Sequence, residues 1–278
     1  MRHRYPDGDP LSAPAGPPRL VATDLDGTLL RSDGTVSPRT AGVLAELDRR
    51  GVPVVFVTGR PVRWMEVVRR HVGGHGLAIC SNGAVVLALR EDVVELARPL
   101  PEAAGAAIVH DLREALPGVR FAVESAEGFG MEPDYPAIHP PPEGSPVEPV
   151  DALLRLEPVK LMVRHPTLGP DAFLQAVDEV LAGRAVATRS GASAMVEVSA
   201  AGVTKASTLA LLCERFGVAP QDVVAFGDMP NDLPMLAWAG RSFAVADAHP
   251  ALDAVVTDRA AGNDEDGVAA ALEALFGL

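Results

Sequence analysis

Asp24-Leu25-Asp26-Gly27-Thr28 follows directly on the apolar run Leu20-Val21-Ala22-Thr23, so two carboxylates cross the end of what reads as a buried strand. In an open α/β sheet, ligands bind outside the carboxyl ends of the strands, where loops rather than packed side chains meet the solvent. A carboxylate placed there can hold a metal or attack phosphorus. The same pentapeptide also suits an ordinary turn, in which Asp bonds its own backbone and Gly takes positive φ, and alone it does not decide between the two. Further segments bear on the choice. Val54-Val55-Phe56-Val57-Thr58-Gly59-Arg60 repeats the order of apolar strand, hydroxyl and glycine, and Val223-Val224-Ala225-Phe226-Gly227-Asp228-Met229-Pro230-Asn231-Asp232 is a third apolar strand ending in carboxylates. Between them, Lys205 opens a predicted helix after Gly202-Val203-Thr204. Three strand ends and one lysine, in this order, point as a set to phosphoryl transfer.

These residues resemble the haloacid dehalogenase superfamily, and within it the Cof-like phosphatases with a large α/β cap. The resemblance runs from about residue 19 to the end and includes Ala239-Gly240-Arg241-Ser242-Phe243-Ala244-Val245-Ala246-Asp247-Ala248 and Asn263-Asp264-Glu265-Asp266-Gly267-Val268. It is loose within the cap. It implies a catalytic role for Asp24 as nucleophile, a metal contact from the backbone carbonyl of Asp26, and positions for Arg60 and Asn82 facing the leaving group.

Phosphoryl transfer needs an in-line nucleophile, neutralisation of the equatorial oxygens and a proton for the leaving group. Asp24 can form an aspartyl-phosphate, which divides one hard displacement into two easier ones. Asp26 would protonate the departing alcohol and later deprotonate the attacking water. Mg²⁺ keeps several waters and needs only one or two protein carboxylates, here Asp24 and Asp228. Asp232 is either a further, water-mediated metal partner or the cap of the next helix, and both can hold together. Thr58, with Gly59 beside it, would donate to a phosphoryl oxygen, although a threonine ending a strand is often structural. Lysine at a helix start opposes the helix dipole, which a phosphate-facing role for Lys205 would explain; Asn231 would orient Lys205 or the phosphate. For Arg60 and Asn82 a structural role has equal weight. Trp64, His139, Arg164 and His165 receive no assignment.

The elements that must position this set alternate strand and helix at both ends of the chain, as βαβ units of a parallel sheet do. The expected fold class is α/β, a Rossmann-like parallel sheet core with an inserted α+β cap. The first block is Leu20–Thr23, a helix at 38–50, Val54–Val57, a helix at 62–72 and Leu77–Cys80. The closing block is a helix at 205–216, strand 223–226, a helix at 232–238, strand 243–245, a short strand at 254–257 and a helix at 268–276. Residues 19–82 and 190–278 are thus assigned to the core, 83–189 to the cap and 1–18 to a disordered tail. Within the cap, strands are expected at 84–89, 93–97, 121–124, 159–163 and 185–188, with helices at 101–115 and 170–181. Residues 128–149, containing Pro140-Pro141-Pro142, read as an irregular loop facing the cleft.

Composition narrows the partners. The chain has 278 residues, 37 acidic against 24 basic, for a net charge of −13, which argues against binding nucleic acid through bulk electrostatics. An anionic substrate then needs a local cation. No apolar run approaches the ~20 residues of a membrane helix, and the first 18 residues lack the apolar stretch of a secretory signal, so a cytoplasmic protein is expected. Cys80 and Cys213 read as core thiols, and His71 and His75 flank Gly73-Gly74, which argues against one helix face. The leading expectation is a Mg²⁺-dependent phosphatase of a small phosphorylated metabolite, a sugar phosphate first, working as a monomer or weak homodimer. A phosphomannomutase-like phosphotransferase is the runner-up, and a catalytically silent metabolite-binding protein is the alternative from another class. The G-x-x-x-x-G-K signature of P-loop kinases is missing.

Overall fold

The computed structural model describes residues 16–72, 76–189 and 194–278. Most of the expected tail, residues 1–15, lies outside the described residues, as do His75 and residue 190, where the core was expected to resume.

Along the chain come β1 (Leu20–Thr23), α1 (Pro38–Arg49), β2 (Val54–Val57), α2 (Glu66–Arg69), β3 (Gly76–Cys80), β4 (Val85–Ala88) and β5 (Val93–Ala97). Next are α3 (Glu102–Ala115), β6 (Arg120–Glu124), β7 (Phe129–Met131), α4 (Val150–Leu153), β8 (Lys160–Arg164), α5 (Pro170–Leu181), β9 (Ala185–Thr188) and β10 (Met195–Ala200). The chain closes with α6 (Lys205–Phe216), β11 (Val223–Gly227), α7 (Leu233–Trp238), β12 (Arg241–Ala244), β13 (Asp258–Arg259) and α8 (Gly267–Phe276). The larger sheet has the order β13-β12-β11-β1-β2-β3-β4-β5, and the smaller β7-β6-β8-β10-β9.

Strands β1, β2 and β11 are buried at every position, as strands covered on both faces of a parallel sheet must be. On one face Val21, Phe56, Val224 and Phe226 pack against Val43, Leu44 and Leu47 of α1 and Val268 and Leu272 of α8. On the other, Leu20, Val55 and Ala225 pack against Leu209 and Leu212 of α6 and Met235 and Leu236 of α7. The result is the expected α/β core with a parallel sheet centre. Because β1 is flanked by β2 on one side and β11 on the other, both in parallel, the connections diverge at its carboxyl end. That divergence opens the crevice in which α/β folds bind ligands.

Both expected domain boundaries move. The hairpin β4–β5 belongs to the core sheet and not to the cap, because β4 pairs antiparallel with β3 and buries Val85, Val86 and Leu87 in the core. At the other end β10 completes the cap sheet between β8 and β9, with Val196 and Val198 in the cap's own apolar cluster, so the core resumes only after Ala200. The strand expected at 254–257 is instead a 3₁₀ turn over Pro250–Ala254, capped by the His249 side chain, followed by the two-residue β13. The helix expected at 62–72 breaks into a 3₁₀ turn, Val62–Trp64, and the single turn of α2; the β-branched Val67-Val68 pair gives an α-helix little support.

The cap sheet has two unlike faces. Phe121, Val123, Leu161, Val163, Val196 and Val198 point towards α3 and α5 and form a closed apolar cluster. With period two, Glu124, Lys160, Met162 and Glu197 point the other way, and all four line the crevice of the core.

Candidate active site

The site is assembled from the ends of three adjacent core strands. The Asp24 N–H donates to the Phe226 carbonyl at 3.0 Å, which continues the β1–β11 ladder one residue past β1. The Thr58 N–H donates to the Ile79 carbonyl at 2.8 Å and does the same for β2. Gly27 adopts φ +78°, and a Cβ there would stand 2.5 Å from Asp228 Oδ2, so only glycine lets the turn after Asp26 lie against the end of β11.

Lys205 reaches this point from the first turn of α6, which Thr204 and Ser207 close with a capping box. Gly83, at φ +109°, packs so closely on the Thr204 carbonyl that a side chain would collide with it, and Thr208 Oγ1 donates to the Gly83 carbonyl at 2.6 Å. The Lys205 ammonium is buried and donates to Asp24 Oδ1 at 2.5 Å and Asp232 Oδ1 at 2.7 Å. The other carboxylate oxygen of Asp232 accepts from the backbone N–H groups of Asp228 and Met229 at 3.2 and 3.1 Å. Asp232 thereby ties the lysine to the loop after β11. Asp228 accepts from Thr28 Oγ1 at 3.1 Å.

Burial pushes the Asp24 carboxyl well above the usual carboxylate range; Lys205 opposes that shift, and Asp232 and Asp228 reinforce it. Burial, then Asp232, lift Asp228 to about 6. For Lys205, burial works against the charged form, but Asp232 and Asp24 outweigh it and hold the ammonium above its ordinary value. Three carboxylates thus face one ammonium in a largely buried site, an imbalance that a further cation would correct. Asp24, Asp228 and Asp232 each present an oxygen within 4.8 Å of the others, an all-oxygen set that suits a hard divalent ion. Of the two sequence readings of Asp232, the cap of the next helix is not formed, since its side chain makes no capping bond to α7; its oxygens go to Lys205 and to the loop N–H groups instead.

Asp26 contributes no carboxylate to that cluster. Its side chain is exposed and bound in a two-pronged ion pair by Arg60, at 2.7 and 2.5 Å. Thr58 Oγ1 accepts from the Arg60 N–H at 3.0 Å, which leaves the hydroxyl proton to donate elsewhere. Gly59 offers its carbonyl to Lys160 Nζ at 2.6 Å. Asn82, in the left-handed region, donates to Thr188 Oγ1 and Glu197 Oε2 and accepts from Asn231 Nδ2. Asn231 therefore bonds Asn82, whereas the hydrogen bonds of Lys205 run to Asp24 and Asp232. The Asn231 carbonyl oxygen is buried without a partner among the described residues.

A cavity of about 370 Å³ contains Asp24, Asp26, Thr58, Gly59, Arg60, Asp228 and Asn231 on the core side. On the cap side stand Glu124, Lys160 and Glu197, which motif reading missed. Lys160 and Glu197 form a buried ion pair, and Glu124 pairs with Arg63. Alternation along Lys160-Leu161-Met162-Val163 and Val196-Glu197-Val198 was the available signal: two buried polar groups on the face opposite the apolar one. Of the four residues left unassigned, Trp64 and His139 line this cavity and Arg164 lines its outward extension. His165 lies elsewhere, with Nε2 on the Pro117 carbonyl and its ring near Phe173. Cys80 and Cys213 are buried free thiols, pushed up by burial to about 12 and about 11. Among the described residues no helix is long and apolar enough to cross a membrane.

The chain is 30% identical to a phosphoglycolate phosphatase of Methanopyrus kandleri, over 82% of this chain and 84% of that protein. It is 26% identical to the 5-amino-6-(5-phospho-D-ribitylamino)uracil phosphatase of Bacillus subtilis, over 94% and 98%. The fold superposes on a phosphatase of the haloalkanoate enzyme superfamily from Bacteroides thetaiotaomicron with a TM-score of 0.80 at 24% identity, covering 97% of this chain and 99% of that one. The family model for haloacid dehalogenase-like hydrolases matches residues 21–272, and the chain belongs to that family.

Proposed function

We propose that the protein is a Mg²⁺-dependent phosphatase that hydrolyses a small phosphorylated metabolite through an aspartyl-phosphate on Asp24. The observation that carries this reading is the Lys205 ammonium clamped between Asp24 and Asp232, with Asp24 and Asp228 lining a cavity that core and cap residues share. Relatives named as phosphatases of phosphoglycolate, of a ribitylaminouracil phosphate and, at 29% identity in an Enterobacter, of HMP-PP support phosphate-ester hydrolysis. Their substrates differ too much to select one.

Lys205 holds Asp24 in one orientation, with Oδ1 engaged and the second oxygen turned to attack. As the Asp24–phosphorus bond forms and the ester bond breaks, Asp26 gives its proton to the leaving oxygen. To carry that proton Asp26 must part from Arg60, and a substrate arriving beside Arg60 supplies the competing anion. Water then attacks phosphorus, Asp26 takes its proton, and orthophosphate leaves with the Asp24 carboxylate restored. Thr58 Oγ1 and the Lys205 ammonium would meet the charge that develops on the phosphoryl oxygens. Asp24 and Asp228 would hold Mg²⁺, which supplies the positive charge a phosphate dianion needs among carboxylates.

The test is phosphate release by purified protein from a panel of phosphate monoesters, with Mg²⁺, with excess chelator, and without any bisphosphate activator. Release that needs Mg²⁺ and no activator is expected. Turnover persisting in chelator removes the metal role, and a requirement for a bisphosphate identifies a phosphomutase instead.

A further inference from the structure

The cavity at the catalytic strand ends opens outward into a second one of about 680 Å³, and the two share Arg63, Trp64, His139, Met162 and Met195. The outer part therefore continues the same site. Its walls are unlike the inner ones. Of thirteen lining residues only Arg63, Tyr135, His139 and Arg164 carry a polar group, apart from the Trp64 indole N–H. Arg63 is already engaged by Glu124 and lies over the Trp64 and Phe129 rings at 5.3 and 5.6 Å. Among the described residues, the Tyr135 hydroxyl hydrogen-bonds only a thioether, Met195 Sδ, at 3.6 Å. Pro140, Pro141 and Pro142 form one rigid wall.

Two large apolar side chains in this groove are exposed, Trp64 at 43% and Ile138 at 54%. Trp64 stands where the two cavities meet, with His139 edge-on to it at 5.8 Å. A polyhydroxylated leaving group would set several hydroxyls against methionine, proline and aromatic carbon. Each one left unpaired costs about tenfold in affinity. A flat ring would instead cover the Trp64 indole and the Met162 and Met195 side chains. At the far side Arg164 keeps donors beyond its bond to the Pro136 carbonyl, among the described residues, for an acceptor on the ring edge.

We infer that the groove around Trp64, Tyr135, Ile138, Met162 and Arg164 is a ring-binding subsite, and that the preferred substrate is a phosphate monoester whose short arm carries a planar aromatic or heteroaromatic ring with an acceptor on its outer edge. This rests on the phosphatase reading and narrows it away from a simple sugar phosphate.

The experiment compares kcat/KM of the full chain for 4-carboxybenzyl phosphate, benzyl phosphate, glucose 6-phosphate and glycerol 3-phosphate. The expected order places the carboxybenzyl ester first, about tenfold or more above glucose 6-phosphate. In Trp64→Ala the ratio of carboxybenzyl to glycerol ester should fall about tenfold, and Ile138→Ser, on an exposed position, should lower it in the same direction. Comparable rates on all four esters, a preference for glucose 6-phosphate, or a ratio unchanged in both variants overturns the ring subsite while the phosphatase reading stands. Hydrolysis of none of them overturns that reading, and the subsite with it.

Discussion

Replacing Lys205 by methionine, of similar length and no charge, removes the only cation that touches both Asp24 and Asp232 among the described residues. Both carboxylates are buried, at 5% and 0% exposure. Deleting one partner of a buried ion pair costs about 3–5 kcal/mol, because the remaining charge is left uncompensated. For a protein of this size, with about 2–4 °C of Tm per kcal/mol, that is a fall of roughly 6–20 °C. The pH dependence has a definite sign. In the variant Asp24 loses the cation that opposes the upward push of burial, so its carboxyl rises further and the folded state holds that proton more tightly than the unfolded one. The deficit is then largest near neutrality and shrinks on acidification, as the Asp24 carboxyl takes up its proton. In the parent the ammonium's own pKa is raised, so its contribution is fully present below the ordinary lysine value of about 10.4 and is lost only above it. Thermal unfolding of both proteins without divalent ions, followed by circular dichroism across pH, measures this. A Tm within about 2 °C of the parent at neutral pH, or a deficit that grows on acidification, would refute the reasoning.

Three other outcomes follow from the same geometry. Asp228, lifted from 3.8 to about 6 chiefly by burial, keeps its proton better folded than unfolded, so the ion-free protein loses stability as pH rises from about 4 to about 6, by at most about 3 kcal/mol before solvent screening; the Tm gain on adding Mg²⁺ should accordingly be larger at about pH 7.5 than at about pH 5, and equal gains would count against Asp228 as a ligand. Gly27→Ala forces a side chain into positive φ and against Asp228 Oδ2, and should raise the Mg²⁺ concentration at half-maximal Tm gain about tenfold or more; an unchanged midpoint would show that the turn tolerates the methyl group. Lys160→Met leaves Glu197 buried without its lysine and frees the Gly59 carbonyl; kcat/KM should drop about tenfold or more as the Thr58–Arg60 loop loosens, and full activity would make the pair merely structural.

The core was legible because parallel strands covered on both faces print as unbroken apolar runs, and β1, β2 and β11 do so directly before Asp24, Thr58 and Asp228. The cap edges were not. Nothing local in Val85–Ala88 says that it pairs antiparallel on β3 and not with a cap strand; that choice is made by burial of the whole hairpin. In β10, Glu197 and Ser199 interrupt the apolar pattern on one face, from which Glu197 lines the crevice, and a strand with one polar, one apolar face reads poorly when both faces end up buried. Lys160 and Glu124 escaped for a related reason: they stand opposite each other at the ends of cap strands β8 and β6, in a part of the chain that carries no motif. Asn231 lies in its motif, yet its partner Asn82 is 149 residues away, a pairing that no spacing reveals.

The central claim is that Asp24 becomes phosphorylated. Acid-quenched protein taken during turnover with Mg²⁺ and a hydrolysed phosphate monoester, digested at low pH and read by mass spectrometry, tests it directly. A single phosphoryl group on the peptide carrying Asp24, released by hydroxylamine and lost in Asp24→Asn along with turnover, is the predicted result. Steady turnover by Asp24→Asn, or a phosphoryl group on any other residue, would contradict it.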